Sequence, residues 1–145
     1  MQSYFKRATR GVILGVAVLG FACAIAPGLF AQSKTIKDGV YTAAQAKRGE
    51  ALFQEHCSSC HGADLSGGGG PSLTGADFFG FWDKMPLSDL VEKINTSMPA
   101  DSPGSVNRKQ TADIVAFIVQ FGKFPAGQTE LSDDAAALKA IAITK

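Results

Sequence analysis

The residues whose types and spacing point to chemistry form one pentapeptide, Cys57-Ser58-Ser59-Cys60-His61. At the end of a helix, positions 57, 60 and 61 are spaced i, i+3 and i+4, which places two thiols and one imidazole on one face. Two thiols so placed can add to the two vinyl groups on one edge of a porphyrin, while the adjoining imidazole binds the iron. The pattern Cys-x-x-Cys-His is the attachment signature of haem c.

Two other chemistries use closely spaced cysteines, and the sequence favours neither. A structural zinc site usually takes four ligands, but the only other histidine is His56, which adjoins Cys57 and is badly placed to complete a tetrahedron. A thioredoxin-like dithiol needs strands around its Cys-x-x-Cys, and the sequence pattern predicts almost none. One covalently bound haem c is therefore the predicted cofactor.

A haem iron held by His61 has a second axial position, for which the sequence offers Met85, Met98 and His56. His56 adjoins the attachment site and is expected to point away. Both methionines precede a proline, so both are biased to extended backbone and this local pattern does not separate them. Position favours Met98, which lies in an irregular stretch between two predicted helices, whereas Met85 lies at the start of one. We predict Met98 as the second ligand, with Met85 as the remaining candidate.

The elements that must position these residues are predicted to be helices. Thr42 and Gln45 form a capping-box signature before a first helix over 43–58. A longer helix over 108–121 carries its apolar residues on one face and ends before a glycine. The pentapeptide is therefore expected to follow directly from the first helix.

The remaining segments complete an all-α fold class. A second helix is predicted over 87–96, and a last short helix begins at Ser132 in a C-terminal tail over 125–145. Residues 62–85 contain many glycines and are predicted to form one long loop. The sequence leaves open whether the tail packs on the domain or on a partner.

The first 31 residues have the three-part pattern of a secretory signal peptide: a basic stretch, an apolar run over 11–26 and a small residue at Ala31. Cleavage after Ala31 is the first choice, and cleavage after Ala26 is the alternative. An uncleaved membrane anchor is the competing interpretation, but the helix of 11–26 would span only ~24 Å of a ~30 Å hydrocarbon layer. The pattern predicts export to the periplasm, with a flexible leader over 32–40.

Composition excludes several classes of function. The chain of 145 residues is sized for one small domain, and its 14 basic and 13 acidic residues nearly balance. Three of the basic residues lie in 1–31, so the remainder is mildly acidic and nucleic acid is not an expected partner. Beyond that segment, Cys57 and Cys60 are the only cysteines, which cannot build the disulfide framework of a small exported protein.

With these motifs, residues 41–124 resemble a class I c-type cytochrome, in particular the small single-haem cytochromes found beside or fused to quinoprotein dehydrogenases. In that family a motif of the form T-x-M-P supplies the distal methionine, and Thr96-Ser97-Met98-Pro99 fits it. The resemblance implies a cytochrome c fold, in which three main helices surround one covalently bound haem and the first and third helices cross.

The resemblance also implies roles for residues outside the two motifs. The Pro71 carbonyl is expected to accept a hydrogen bond from the His61 ring, which would fix the ring orientation. Leu73 is expected to pack on the haem face, and Trp82 to lie near a haem propionate, with a core position as the alternative for Trp82. The full predicted haem-binding set is Cys57, Cys60, His61, Pro71, Leu73, Trp82 and Met98, of which His61 and Met98 bind the iron.

The predicted function follows from the ligands. Histidine and methionine together close both axial positions, and a methionine ligand raises the reduction potential, so the expected role is that of an electron carrier and not of an enzyme. Expected partners are a periplasmic dehydrogenase and a terminal oxidase or other acceptor, with a membrane involved only if residues 1–31 are retained. Two alternatives stay open: a fixed electron-transfer subunit of a dehydrogenase complex, and a haem-based ligand sensor if Met98 does not bind the iron.

Overall fold

A computed structural model describes residues 34–145 of the chain. The predicted signal peptide over 1–31 and the first two residues of the predicted leader lie outside the described residues. The described part is mostly helical, as predicted, and within it no helix is long and apolar enough to cross a membrane. Its elements in chain order are β1 (Lys34–Thr35), α1 (Ala43–His56), α2 (Ser58–His61), α3 (Gly75–Trp82), α4 (Leu87–Ser97), α5 (Arg108–Phe121), α6 (Ala135–Lys139) and β2 (Ile141–Ala142).

The first long helix, α1, begins with only half of the capping box that its sequence indicates. Thr42 Oγ1 accepts from Gln45 N at 3.1 Å, which satisfies one of the free donors at the helix start. The buried Gln45 side chain turns away instead and pairs with the backbone of Leu131, donating to its oxygen at 2.9 Å and accepting from its nitrogen at 2.6 Å. Gln45 therefore ties the helix to the C-terminal tail.

The crossing of α1 and α5 forms the main helix contact of the domain. At Gly49 the backbones approach so closely that a Cβ there would overlap the carbonyl group of Asp113. One turn further along, the rings of Phe53 and Phe117 pack with centroids 5.3 Å apart. Both phenylalanines are buried, so the crossing encloses apolar surface that stabilises the fold.

A buried carboxylate lies beside this crossing and is paired. The Asp113 side chain is only 6% exposed and receives two hydrogen bonds of 3.1 Å from the Arg48 guanidinium. Arg48 also contacts Glu130 at 2.8 Å, in the segment that follows α5. The bidentate pair satisfies a charge that burial alone would penalise, and it links both helices to the tail.

Residues 62–85 are not one long loop, which corrects the prediction for this segment. The chain forms α3 over Gly75–Trp82, beginning at Gly75 in a left-handed conformation with φ of 68°. Phe78 is buried, and its ring packs edge-on against Phe79 at 5.3 Å. Burial of these aromatic rings outweighs the low helix propensity of the glycines, so the count of glycines alone was misleading here.

The segment before α1 and the tail after α5 pair with each other. β1 and β2 form a two-stranded parallel sheet in which Lys34 is opposite Ile141. Ile36, just after β1, is buried, as are Leu138 and Ile143 of the tail. The tail therefore packs on its own domain, which answers the question that the sequence left open.

Replacing Gly49 with alanine tests the crossing of α1 and α5. Since the new Cβ would overlap Asp113, the helices must separate, and we expect the free energy of unfolding to fall by about 3 kcal/mol. Gly80→Ala is the matched control, because a Cβ at Gly80 meets nothing within 4 Å, and it should change the stability by less than ~1 kcal/mol. Denaturant unfolding followed by far-UV circular dichroism measures both; equal midpoints would contradict the close approach.

Candidate cofactor site

The Cys-x-x-Cys-His pentapeptide forms one helical turn at the end of α1. The amide of Cys57 still bonds to the Phe53 oxygen at 2.9 Å, although its own backbone leaves the helical region with φ of −125°. Cys60 N and His61 N then both donate to the Cys57 oxygen, at 3.2 and 3.0 Å. The three side chains thus have the i, i+3, i+4 spacing on helical backbone that places them on one face.

The two thiols are free and differ in their exposure. Cys57 is half-buried and Cys60 is exposed. Burial, with a smaller contribution from the neighbouring Cys60, raises the pKa of the Cys57 thiol to about 11. Since these surroundings disfavour a charged sulfur, they suit an uncharged thiol or thioether at position 57.

The His61 ring is held by one hydrogen bond to the backbone. Its Nδ1 lies 2.8 Å from the Pro71 carbonyl oxygen. A carbonyl oxygen only accepts, so Nδ1 carries the proton and Nε2 is left with a lone pair. A neutral imidazole in this tautomer, with its ring fixed by a carbonyl, is the form in which histidine binds a metal.

The glycine-rich loop after His61 folds back over the pentapeptide. Gly67 N donates to the His61 oxygen at 2.8 Å, and Gly70 N donates to the Cys60 oxygen at 2.8 Å. Gly67 has a φ of +96°, a conformation that residues with a Cβ rarely adopt. These bonds bring Pro71 within reach of the His61 ring.

Gly70 is a residue that sequence reasoning did not single out. A Cβ at this position would lie 2.8 Å from Cε1 of His61 and 3.0 Å from its Nδ1. The backbone of Gly70 therefore lies against the imidazole ring with no room for a side chain. The available signal was the run of four glycines directly before Pro71, which alone does not say what the backbone approaches.

Leu73 and Trp82 lie further along the chain, near the two ends of α3. Leu73 is partly buried against the core, and its amide bonds to the Leu65 oxygen at 2.9 Å. Trp82 is the last residue of α3, is partly buried, and packs edge-on against the exposed Phe81 at 4.9 Å. These contacts place both residues on the core of the domain.

Met98 and Met85 lie at opposite ends of α4. Met98 is the residue that follows the helix, with its amide bonded to the Ile94 oxygen at 2.9 Å and an extended backbone (φ −126°, ψ 148°). Met85 precedes the helix, with its amide bonded to the Trp82 oxygen at 3.0 Å. An eleven-residue helix is ~16 Å long, so Met85 and Met98 lie too far apart for one to take the place of the other by a small shift.

The irregular chain around Met98 is tied down by neighbouring polar groups. Asn95 Nδ2 donates to the Val106 oxygen at 3.1 Å, which closes the loop between α4 and α5. The hydroxyls of Thr96 and Ser97 each donate to the carbonyl four residues earlier, at 2.7 and 2.6 Å. The last turn of α4 is thereby held in place up to the partly buried Met98.

The donor set of this site matches the chemistry of haem c. It offers two free thiols and an imidazole with an available Nε2 on one helical turn. In residues 34–145, no three side chains among His, Cys, Asp and Glu are grouped so that they hold a metal ion. A tetrahedral zinc site therefore has no ligand cluster in this part of the chain.

The residues of this site lie within the range that matches a known protein family. The family model described as "Cytochrome C oxidase, cbb3-type, subunit III" matches residues 44–118, which is more than half of the chain. The matched range runs from α1 into α5 and includes the pentapeptide, the glycine-rich loop and Met98.

One similar protein and one solved structure agree with that match. Cytochrome c-551 of Bacillus subtilis (strain 168) is 28% identical over 109 residues, which is 72% of this chain and 93% of that protein. The sulfane dehydrogenase SoxCD from Paracoccus pantotrophus superposes with a TM-score of 0.51 at 22% identity, over 77% of this chain and 61% of that one. At that identity, the likeness to SoxCD shows the fold alone.

The contact of Gly70 with the His61 ring is tested by Gly70→Ala. The added methyl group would push the imidazole away from its position, and we expect the haem-loaded variant to show a mixed or high-spin absorption spectrum. Changes to the contacts that support a metal ligand typically lower metal affinity by ~10–100-fold. Gly69→Ala is the control, because its Cβ has no neighbour nearer than 3.9 Å. A low-spin spectrum in both variants would show that Gly70 does not constrain the ring.

Proposed function

We propose that this chain, which belongs to the cytochrome c family and is therefore a haem-based electron carrier with covalently attached haem c, transfers one electron at a time through an iron bound by His61 and Met98. The observation that carries the proposal is the 2.8 Å hydrogen bond from His61 Nδ1 to the Pro71 oxygen. It leaves Nε2 available to iron in the same helical turn that presents both cysteines.

In this proposal Cys57 and Cys60 make the covalent attachment. The two side chains would hold haem through thioether bonds, since a thiol can add across a vinyl group without consuming an oxidant or reductant. The half-buried setting of Cys57, which disfavours a thiolate, accommodates the neutral thioether product. The exposed Cys60 lies on the outer side of the same turn.

Met98 is the proposed second ligand. Its support is its place at the end of α4, where a helix held by Asn95 delivers a partly buried thioether in an extended chain. When bound, haem supplies a one-electron iron couple whose potential a methionine ligand raises. With both axial positions taken by the protein, small ligands have no open site, which favours electron transfer over catalysis.

Pro71, Leu73 and Trp82 complete the proposed binding set. Pro71 fixes the tautomer and direction of the His61 ring, and Leu73 and Trp82 supply apolar contact from the flanks of α3. The Trp82 indole is also proposed to lie near a haem propionate.

Location and partners are proposed from the sequence and from the names of similar proteins. The signal-like residues 1–31 support export to the periplasm, with a retained anchor as the alternative. The family description names an oxidase subunit, which supports a terminal oxidase as acceptor. The resemblance of residues 41–124 to cytochromes found beside or fused to quinoprotein dehydrogenases supports a dehydrogenase as electron donor. We propose no catalytic role for the chain itself.

A second candidate function is that of a fixed electron-transfer subunit in a dehydrogenase complex, and the resemblance of residues 41–124 to cytochromes found beside or fused to quinoprotein dehydrogenases favours it. The two functions are distinguished by purification of the native protein at physiological salt. A free carrier elutes alone, whereas a fixed subunit elutes with a dehydrogenase in constant ratio.

Met98→Ala tests the second ligand. Loss of the thioether should abolish the weak far-red absorption band of the oxidised protein, lower the reduction potential, and allow the reduced protein to bind carbon monoxide rapidly. Met85→Ala is the matched control, since Met85 lies at the other end of α4 and should leave all three properties unchanged. The proposal is wrong if Met98→Ala keeps the band, and Met85 becomes the ligand if the two variants exchange their phenotypes.

A further inference from the structure

The last residues of the chain are bonded to the link between α3 and α4. We define the C-terminal segment as residues 140–145 and the helix link as residues 83–86. Ile143 N donates to the Met85 oxygen at 2.9 Å, and the Ile143 oxygen accepts from Lys84 N at 2.6 Å. These two bonds hold the middle of the helix link in one register against the C-terminal segment.

The remaining two residues of the helix link also contact the C-terminal segment. Pro86 forms an antiparallel bridge with Ala142. At the other end, Lys145 N donates to Asp83 Oδ1 at 3.1 Å. Every residue of the helix link therefore contacts the C-terminal segment.

The opposite edge of the C-terminal segment is bonded to the residues before α1. Lys34 N donates to the Ala140 oxygen at 3.1 Å, and Ile36 N donates to the Ala142 oxygen at 3.0 Å. Ile36 and Ile143 are both 1% exposed, so this side of the sheet is packed on the core. The C-terminal segment is thus fixed from two sides and serves as a rigid support for the helix link.

The helix link needs such a support because its backbone is strained. Lys84 has a φ of +68°, a left-handed conformation that residues with a Cβ adopt only where surrounding contacts impose it. Its amide is the group that bonds to Ile143. Without that bond, Lys84 is free to return to an ordinary conformation, which would change the direction in which α4 leaves the link.

Such a change at the start of α4 reaches Met98 at its end. Leu87, Leu90 and Val91 are buried, so the first turns of α4 are packed as one surface. A helix of this length moves as a rigid element, and Met98 directly follows its last residue. A small rotation at the link therefore becomes a displacement of the Met98 thioether.

A second tie joins the tail to the middle of α4. Arg108, the first residue of α5, donates to Glu92 Oε2 at 2.9 Å and to the Asp133 oxygen at 2.6 Å. Glu92 lies on α4 and Asp133 lies just before α6. The tail thus constrains α4 at two points.

We propose that the C-terminal segment is a positioning element for the Met98 ligand, and that Ile143 is its principal positioning residue. The segment lies outside the range 44–118 that the family model matches. The inference rests on the His61 and Met98 ligation proposed above.

The test uses two variants at neighbouring positions of the haem-loaded protein, one expected to raise and the other to lower the rate at which the reduced protein binds carbon monoxide. Ile143→Pro removes the amide that bonds to the Met85 oxygen and also the buried Ile143 side chain, so the register in which the Ile143 oxygen accepts from Lys84 N is no longer held. Thr144→Val replaces a hydroxyl that is buried without a hydrogen-bond partner in the described part of the chain, and should tighten the segment. Tyr41→Phe is the control for general loss of stability, since it removes a 2.7 Å bond to the Phe124 oxygen that does not involve the helix link.

Three readouts separate ligand positioning from general stability. They are the temperature at which the far-red band is lost, the temperature of unfolding by far-UV circular dichroism, and the rate at which the folded, reduced protein binds carbon monoxide. Ile143→Pro should lose the band well below its unfolding temperature. It should also bind carbon monoxide about tenfold faster, because the state in which Met98 has left the iron is more populated. Thr144→Val should bind it more slowly, and Tyr41→Phe should lose band and fold together.

The opposite results overturn the inference. If the band and the fold of Ile143→Pro are lost at one temperature and its carbon monoxide rate stays at that of the wild type, the segment has only a structural role. Should Ile143→Pro fail to fold, an unchanged rate in Thr144→Val has the same meaning. A wild type that lacks the far-red band overturns the proposed ligation itself, which is a different result.

Discussion

The contact on which the rest of this structure depends is the approach of α1 to α5 at Gly49. Only a residue without a side chain lets the two backbones meet, and the meeting brings Phe53 onto Phe117 and Arg48 onto the buried Asp113. Because α1 is fixed in this way along its length, its last turn has one position. That turn carries the two cysteines and His61, so the geometry of the site follows from the helix crossing.

A second constraint orients the imidazole of this fixed turn for the proposed iron ligation. The glycine-rich loop returns over the turn through backbone bonds to His61 and Cys60, and it ends with the Pro71 carbonyl beside the His61 ring. The glycines are needed for their small size as much as for their backbone freedom, since Gly70 touches the imidazole directly. Polar backbone groups, and not charged side chains, orient the ring.

The local parts of this structure could be predicted from the sequence, and its long-range parts could not. Helical periodicity identified α5, and the spacing of the pentapeptide identified its chemistry. The structure shows that α5 begins with a full capping box of Asn107 and Gln110. The helix α3 was missed because it depends on burial of Phe78 by distant parts of the chain. The partner of Gln45 lies 86 residues away, at Leu131, and no local pattern records such a pairing. The same holds for the C-terminal segment, whose backbone bonds leave no signature in residue type.

Ligation by His61 and Met98 is tested most directly by a spectroelectrochemical titration of the wild-type protein, followed by exposure of its reduced form to carbon monoxide. Such ligation should give low-spin spectra in both oxidation states, a far-red band in the oxidised form only, and a reduced spectrum that carbon monoxide leaves unchanged. The titration should show one transition with a slope of about 59 mV per tenfold change in the ratio of oxidised to reduced protein. A high-spin spectrum, or immediate binding of carbon monoxide, would contradict an iron closed by His61 and Met98.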